Sequence, residues 1–477
     1  MASRDPLRDT GRQARLGLTP VLAAVAAVAA VAVLGGGACT CSKAAESPGD
    51  DAGAAAAAAT DASDDVGLTA AEHGEPGGLS APIAGARGDH GDVVVAGLDV
   101  AARAIRVQRI SDKDEVLADR TVLEGVAWSS ESELKVVPAA AGVAVTWRGL
   151  RAGKLVRQLV ILGADLAPTG TVHDISAASC ATRDALWFTD GKRVHVRPWT
   201  GKPARFDLPK DKDAALVCGS HRAFALLDEE EGTSVMMFGG APLEKGDAGA
   251  DAGADAGAPP VTPLLKEADF GDDDQRERSE YTVGDDVGVV RLAVSGAITL
   301  REVRGSVPGP LHKLRTAIGR DDDVVAVDAS PRAVVIVYTE DVSDTCARDG
   351  GSATVGSTRV KALRIDRATF EESIVELSPG MCAREVGPFF TGAQGDGVSV
   401  AWVERVPIAG QSKAPIAALA HRVVPAAGPA AELVRADQPA DALVDAGCDG
   451  TRCYAVALAR RAGMDAMVPG LAKVIRY

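Results

Sequence analysis

The sequence predicts an all-β fold from about residue 85 onward. Short runs of alternating Val, Ile, Leu and Ala recur there, bounded by Gly, Asp and Pro. Such alternation is typical of strands. No comparable stretch has the apolar periodicity of a long amphipathic helix. The runs begin at eight places: Asp92, Gly142, Ala185, Ala223, Val287, Ala333, Gly397 and Cys453.

The run from Ala185, "ALWFTDGKRVHV", shows the predicted unit most clearly. Two alternating strands flank Asp190-Gly191. Asp-Gly is a favoured two-residue hairpin turn because both of its positions adopt positive φ. The other runs fit the same pattern of strand, tight turn and strand.

Local similarity between the runs indicates that the unit is repeated. "AGVAVTW" at 141–147 and "DGVSVAW" at 396–402 share Gly-Val-x-Val-x-Trp. A cysteine precedes a strand by five positions in "SCATRDALWF", "VCGSHRAFAL" and "GCDGTRCYAV". The units are spaced about 38 to 64 residues apart, and the longer gaps contain insertions at 243–262 and 340–357.

Repeats of this length resemble the blades of β-propellers in general and, more loosely, propeller-like lipoproteins of GC-rich bacteria. A single four-stranded sheet cannot bury both faces, whereas a ring of such sheets can. The resemblance covers residues 85–477 and implies about seven four-stranded blades, with eight as the alternative. A hairpin that combines strands from both ends of the chain is expected to close the ring. No motif assigns a subfamily, and a pair of two-sheet sandwiches is the structural alternative.

The segment "GDAGADAGADAGAPP" at 246–260 interrupts the repeats. Its aspartates recur every four residues, whereas a calcium loop places ligands at alternate positions and ends in Glu. Its composition therefore predicts a disordered surface insertion over residues 243–262.

Residues 1–38 are predicted to be a signal peptide. Four arginines occur in residues 1–15, and residues 21–34 are apolar without interruption. This run is shorter than the roughly 20 residues that a membrane-spanning helix needs. It matches the apolar region of an export signal.

Small residues then lead to a cysteine, in the order Gly36, Gly37, Ala38 and Cys39. This arrangement resembles bacterial lipoprotein precursors, although Leu34 lies five positions before Cys39 rather than the usual three. The resemblance implies that Cys39 is acylated and becomes the mature N-terminus, with Cys41 as the alternative acceptor. A cleaved secretory signal with an incidental cysteine is the alternative interpretation.

Residues 39–84 are predicted to form the lipidated N-terminus and a flexible tether, since Ala, Gly, Asp, Ser and Pro dominate. Two or three acyl chains anchor a protein stably, whereas one does not. We therefore expect an exported protein of the bacterial cell envelope, held by lipid at the outer membrane.

Six cysteines remain in the body, and an even number in an exported chain favours disulfides. Cys448 and Cys453 are expected to face each other across a tight hairpin. Cys346 is matched with Cys382. Two alternatives stay open for Cys180 and Cys218: a disulfide, or buried free thiols if equivalent places on adjacent blades hold them too far apart.

Loop carboxylates are the main chemical candidates. The segments "GDDDQRERSE" and "GRDDDVV" contain two clusters that could face a central channel and bind a cation or act on a sugar. The alternative is that they are solvated turns. The clusters consist of Asp272, Asp273, Asp274, Asp321, Asp322 and Asp323.

The net charge of −15, without a basic stripe, argues against nucleic-acid binding. No zinc, P-loop or serine-hydrolase motif occurs, and no cofactor is predicted. The sequence therefore favours a non-catalytic binding or scaffolding platform, anchored to the membrane by lipid, with an envelope protein or polysaccharide as partner. A glycosidase- or lyase-type propeller enzyme that uses the loop carboxylates is the alternative.

Overall fold

A computed structural model describes residues 80–476 of the chain with gaps. The longer gaps are 240–260, 267–274, 379–385, 407–415 and 460–470. Shorter gaps fall at 88–91, 100–101, 114, 128–131, 140–141, 171, 176–178, 199–201, 211–213, 230–231, 306, 349–350, 440–441 and 450–451. The predicted signal peptide, Cys39 and Cys41 lie outside the described residues.

The described chain forms eight consecutive antiparallel sheets arranged as a β-propeller, and no helix occurs among the described residues. Each sheet is a blade whose strands pair in chain order, except that β5 and β6 both pair with β7, and β21 and β22 both pair with β20. The all-β prediction and the propeller are confirmed. The blade number is eight, the alternative to the expected seven, because each of the eight apolar runs contributes the second strand of its own blade.

The first four blades span residues 80–266. Blade 1 contains β1 (Ser80–Arg87), β2 (Val93–Asp99), β3 (Ala104–Ile110) and β4 (Val116–Glu124). Blade 2 contains β5 (Val126–Ala127), β6 (Glu133–Ala139), β7 (Gly142–Arg151), β8 (Lys154–Gly163) and β9 (His173–Asp174). Blade 3 contains β10 (Ser179–Ala181), β11 (Ala185–Thr189), β12 (Arg193–Pro198) and β13 (Ala204–Asp207). Blade 4 contains β14 (Ala214–Cys218), β15 (Arg222–Glu229), β16 (Gly232–Gly239) and β17 (Val261–Lys266).

The other four blades span residues 275–476. Blade 5 contains β18 (Gln275–Val283), β19 (Asp286–Ala293), β20 (Ile298–Arg304), β21 (Val307–Pro308) and β22 (His312–Lys313). Blade 6 contains β23 (Asp323–Ala329), β24 (Ala333–Arg348), β25 (Gly351–Asp366) and β26 (Glu372–Ser378). Blade 7 contains β27 (Val386–Gln394), β28 (Gly397–Val406), β29 (Ile416–Val424) and β30 (Val434–Pro439). Blade 8 contains β31 (Ala442–Asp449), β32 (Arg452–Ala459) and β33 (Leu471–Arg476).

The core consists of eight apolar clusters, one between each pair of neighbouring blades, including blades 8 and 1. Alternate residues of one strand enter different clusters because strand side chains alternate between faces. On β2, Val93 and Val95 pack against blade 8, and Val94 and Ala96 pack against blade 2. Burial on both faces explains why the second strands are nearly continuous apolar runs.

The ring closes by packing between its first and last blades. The innermost strands β31 and β1 are neighbours, and β1 pairs only with β2. Gly85 of β1 leaves no room for a side chain, because a Cβ there would lie 2.6 Å from Cγ2 of Val456. The expectation of a closing hairpin with strands from both chain ends is therefore wrong: in the described chain, blade 8 consists of C-terminal strands alone.

Two predicted boundaries differ from the structure. β1 begins at Ser80, so the first sheet starts within the predicted tether of residues 39–84. β17 begins at Val261, so Val261 and Thr262 pair with β16 instead of belonging to the insertion at 243–262. The insertion at 340–357 lengthens the hairpin of β24 and β25.

A disulfide joins Cys180 of β10 to Cys218 of β14, with 5.7 Å between the Cα atoms. The idea that equivalent places keep them apart is wrong, because the two positions differ by one residue in register. Cys180 lies opposite Trp187, one pair inside the last pair of its hairpin, whereas Cys218 forms the last pair with Ala223. A shift of one residue turns a side chain to the other face of its strand, so the two sulfur atoms point toward each other.

We expect this disulfide to stabilise the ring between blades 3 and 4. A Cys180→Ser/Cys218→Ser variant should lose about 4 kcal/mol of unfolding free energy, because the bond closes a loop with a sequence separation of 38. Urea unfolding measures the loss, and the single variant Cys180→Ser is the control that should lose a similar amount. Peptide mapping in which both thiols are alkylated without prior reduction would contradict the assignment.

Candidate functional site

The two ends of the ring carry different connections between strands. At one end, the turn face, short turns join the first and second strands, as the described connections of blades 3 to 7 show. These turns contact the next blade: Arg183 N donates to Ser220 O at 2.7 Å, and Ser220 N donates to Gly284 O at 2.6 Å. The other end, the crossover face, carries the hairpins between second and third strands and the connections between blades. The longest hairpin among the described residues, that of β24 and β25, extends from the crossover face.

The acidic candidates Asp321, Asp322 and Asp323 lie on the crossover face, where blade 5 connects to blade 6. Oδ2 of Asp322 accepts a hydrogen bond from Gly319 N at 3.0 Å. Arg276 of β18 donates to Gly319 O at 3.1 Å, to Asp322 O, and to Oδ1 of Asp323 at 3.4 Å. The structure thus joins the two acidic sequence segments through an arginine, which ties down the turn.

Asp272, Asp273 and Asp274 lie outside the described residues, directly before β18. Among the residues that are described, no group of three or more His, Cys, Asp and Glu side chains could hold a metal ion.

β18 is the polar member of the innermost strands, with the sequence "QRERSEYTV". Arg278 contacts Asp228 of blade 4 and donates to Glu280 Oε1 at 2.9 Å. Glu277 lines a cavity of about 10 Å³ between blades 5 and 6, and burial raises its pKa. A space of this size holds about one water molecule, so it does not admit an organic ligand.

Two innermost aspartates, Asp328 of blade 6 and Asp445 of blade 8, have enclosed carboxyl groups although each residue is partly exposed. Asp328 bonds the Thr391 side chain of blade 7, and burial raises its pKa to about 6. Asp445 accepts a hydrogen bond from the Tyr454 hydroxyl at 2.8 Å, and burial raises its pKa to about 7. These groups titrate in the physiological range, and the sequence alone did not single them out.

Ser399 and His421 form a buried pair between β28 and β29, with 2.7 Å between Oγ and Nε2. Such a pair is also the core of many nucleophilic sites. Here the two residues are only 4% and 7% exposed, and burial lowers the pKa of His421 to about 4. With no access for a substrate, the pair is a satisfied hydrogen bond of the core.

The structure describes three of the four other cysteines of the body. Cys448 lies directly opposite Cys453 in the hairpin of β31 and β32, as expected from the spacing. Cys346 lies in β24 opposite Ala353, within a regular strand. Its suggested partner Cys382 lies outside the described residues, so that pairing stays a prediction.

An opening on the crossover face lies over blades 1 and 2. It is a cleft of about 570 Å³ between the β2–β3 hairpin, the end of β4 and the β7–β8 hairpin. Its lining residues are Ala102, Arg103, Ala104, Thr121, Glu124, Gly125, Arg151 and Ala152. Sequence reasoning missed this cleft because its residues come from separate hairpins and form no local motif.

None of the described residues forms a helix that is long and apolar enough to span a bilayer. The apolar run at 21–34 falls in the part of the chain that the structure does not describe.

No protein-family model matches the sequence, and no curated protein sequence matches it either. Similar solved structures include the WD40 domain of SCAP from fission yeast, at 10% identity and a TM-score of 0.43, covering 83% of this chain and 94% of that one. The match to apo AztD from Citrobacter koseri covers 74% of this chain and 86% of that one, at 8% identity and a TM-score of 0.37. The match to Kluyveromyces lactis Hsv2 covers 72% of this chain and 93% of that one, at 9% identity and a TM-score of 0.37. At such values no functional residue is transferred, and the fold assignment rests on the sheet topology of the chain itself.

We expect Asp445 to make the protein less stable as pH rises. The pKa of its carboxyl group is about 7 in the folded chain against 3.8 ordinarily, so folding holds a proton that the unfolded chain releases. The stability present below pH 4 is therefore lost as pH rises to about 7. Asp445→Asn, which carries no charge, should melt several degrees above the unsubstituted protein at pH 8 and close to it at pH 4.

Thermal unfolding followed by circular dichroism at both pH values measures this difference. Asp321→Asn, at an exposed position, is the control and should leave the pH profile unchanged. An Asp445→Asn protein no more stable than the unsubstituted one at pH 8 would contradict the assignment.

Proposed function

We propose that the protein is a cell-envelope lipoprotein whose propeller is a non-catalytic binding platform for an envelope protein or polysaccharide. The observation that carries the proposal is the difference between the apolar interfaces of the blades and the polar features of the crossover face. The interfaces between blades are packed with apolar side chains, whereas the crossover face offers a cleft and a projecting arm.

The arm is the outer part of the β24–β25 hairpin. The flanking strand β23 pairs with β24 only as far as Thr339, and the flanking strand β26 pairs with β25 only as far as Val360. Nine further residue pairs, Glu340–Arg348 with Gly351–Arg359, extend beyond them, which corresponds to about 30 Å of ribbon. Its side chains Asp341, Ser343 and Thr345 are exposed. A polar ribbon of this length adds recognition surface without enlarging the core.

The anchor is supported by the N-terminal sequence, with its short apolar run, small residues and Cys39. Ser80, the first residue of β1, follows Cys39 by 41 positions. A chain of that length spans at most about 140 Å. Acylation of Cys39 would thus hold the propeller at the membrane while its crossover face reaches partners some distance away.

The described carboxylates do not favour the enzyme alternative. Asp322 and Asp323 are engaged with the turn and with Arg276. Asp328 and Asp445 are enclosed between blades.

We expect a fatty-acid probe fed to expressing bacteria to label the protein at Cys39. Cys39→Ala should abolish labelling and release the protein from the membrane fraction, because the thiol is the acylation site. Cys41→Ala is the matched control and should stay labelled. Labelling that survives Cys39→Ala and is lost in Cys41→Ala would move the anchor to Cys41, and labelling of neither chain would overturn the anchor.

The platform is tested with the same Cys39→Ala chain immobilised on beads. It should retain envelope protein or polysaccharide from an extract without generating new sugar chain ends. Release of cleaved saccharide would support the enzyme alternative instead.

A further inference from the structure

The cleft over blades 1 and 2 is a preformed structure. In the β2–β3 hairpin, Ala102 N donates to Oδ1 of Asp99 at 2.9 Å. Arg103 O accepts a hydrogen bond from Val126 N at 3.0 Å, and Val126 in turn pairs with Arg151 of β7. Both hairpins are thus tied to β5, and the volume of about 570 Å³ falls in the range of ligand sites.

The backbone at the cleft is strained at two non-glycine residues. Arg103 and Ala152 both have φ of 50°, in the left-handed region. For residues with a Cβ this conformation costs roughly 1–2 kcal/mol. Glycine at position 103 would relieve the cost, but it would remove the guanidinium group.

The two arginines of the cleft differ in how they are held. Arg151 donates from Nη1 to Gln158 Oε1 at 2.8 Å, and Gln158 Nε2 donates to Asp174 at 3.0 Å. This chain orients Arg151. Arg103 is exposed and makes no ion pair with a described residue, in contrast to nearby Arg106, which pairs with Asp99 and Asp119. An arginine without an ion pair to a described residue and an oriented arginine thus line the same cleft, in a protein of net charge −15.

The other polar groups of the cleft narrow the ligand class. The guanidinium group of an arginine can donate two parallel hydrogen bonds to one carboxylate. The Thr121 hydroxyl and the Glu124 carboxylate can bond sugar hydroxyls, which donate and accept. Glu124 would repel a multiply charged phosphate. The combination suits a ligand with a single negative charge and several hydroxyl groups.

We propose that this cleft binds a carboxylate-bearing sugar unit of an acidic polysaccharide. Arg103 and Arg151 hold the carboxylate, and Thr121 and Glu124 bond the ring hydroxyls. The proposal rests on the proposed function, for which it names the site and the partner class.

The test uses the full-length protein in detergent and isothermal titration with tetragalacturonate, a carboxylate-bearing tetrasaccharide. Binding should weaken at least about tenfold in Arg103→Gln and in Arg151→Gln, since a charge-assisted hydrogen bond is lost in each. Arg205→Gln, at an exposed arginine of β13 in blade 3, is the matched control and should bind unchanged. Equal melting temperatures verify that each variant is folded.

Maltotetraose, a neutral tetrasaccharide, and inorganic phosphate are the probe controls, and both should bind at least tenfold more weakly than tetragalacturonate. The proposal is overturned by undetectable binding of tetragalacturonate, by equal affinity in Arg103→Gln, or by phosphate binding as tightly. If the immobilised Cys39→Ala chain still retains envelope material after such a result, the platform stands and the cleft is not its site.

Discussion

Burial of both faces of the second strand in each blade is the constraint on which the rest of the structure depends. Val334 and Ile336 pack toward blade 5, whereas Val335 and Val337 pack toward blade 7. Each blade therefore needs a neighbour on both sides. Sheets with two such neighbours each form a closed ring, and the seam between blades 8 and 1 is closed by Val93, Val95, Tyr454 and Val456 in the same way.

This constraint also determines where chemistry can occur. Burial within the ring shifts the pKa of polar groups such as the Asp445 carboxyl group and the His421 imidazole. The crossover face is free of that requirement. It can carry a polar arm on blade 6 and arginines with the left-handed backbone of Arg103 without disturbing the core. The groups that stabilise the ring and the groups of the proposed binding site thus lie in different parts of the molecule.

The sequence predicts the elements that obey the constraint and misses those defined by neighbours. The runs from Asp92 to Cys453 correctly predict the second strands, because a strand that is buried on both faces needs apolar residues at consecutive positions. The sequence leaves seven and eight blades open, because the runs do not show how the ring closes, and the structure has eight blades. The polar strand β18 is not apolar enough to be recognised. The Cys180–Cys218 bond depends on a one-residue difference in register, and the cleft depends on residues that only the ring brings together.

The central claim is tested most directly by truncating two adjacent residues of one second strand and measuring unfolding in urea. Val334 and Val335 are both fully buried but lie in different clusters. Val334→Ala and Val335→Ala should each lose about 1–3 kcal/mol of unfolding free energy, because each side chain fills a separate interface. Loss in only one of the two variants would mean that one face of the strand is open, and it would contradict a ring in which every blade is covered on both sides.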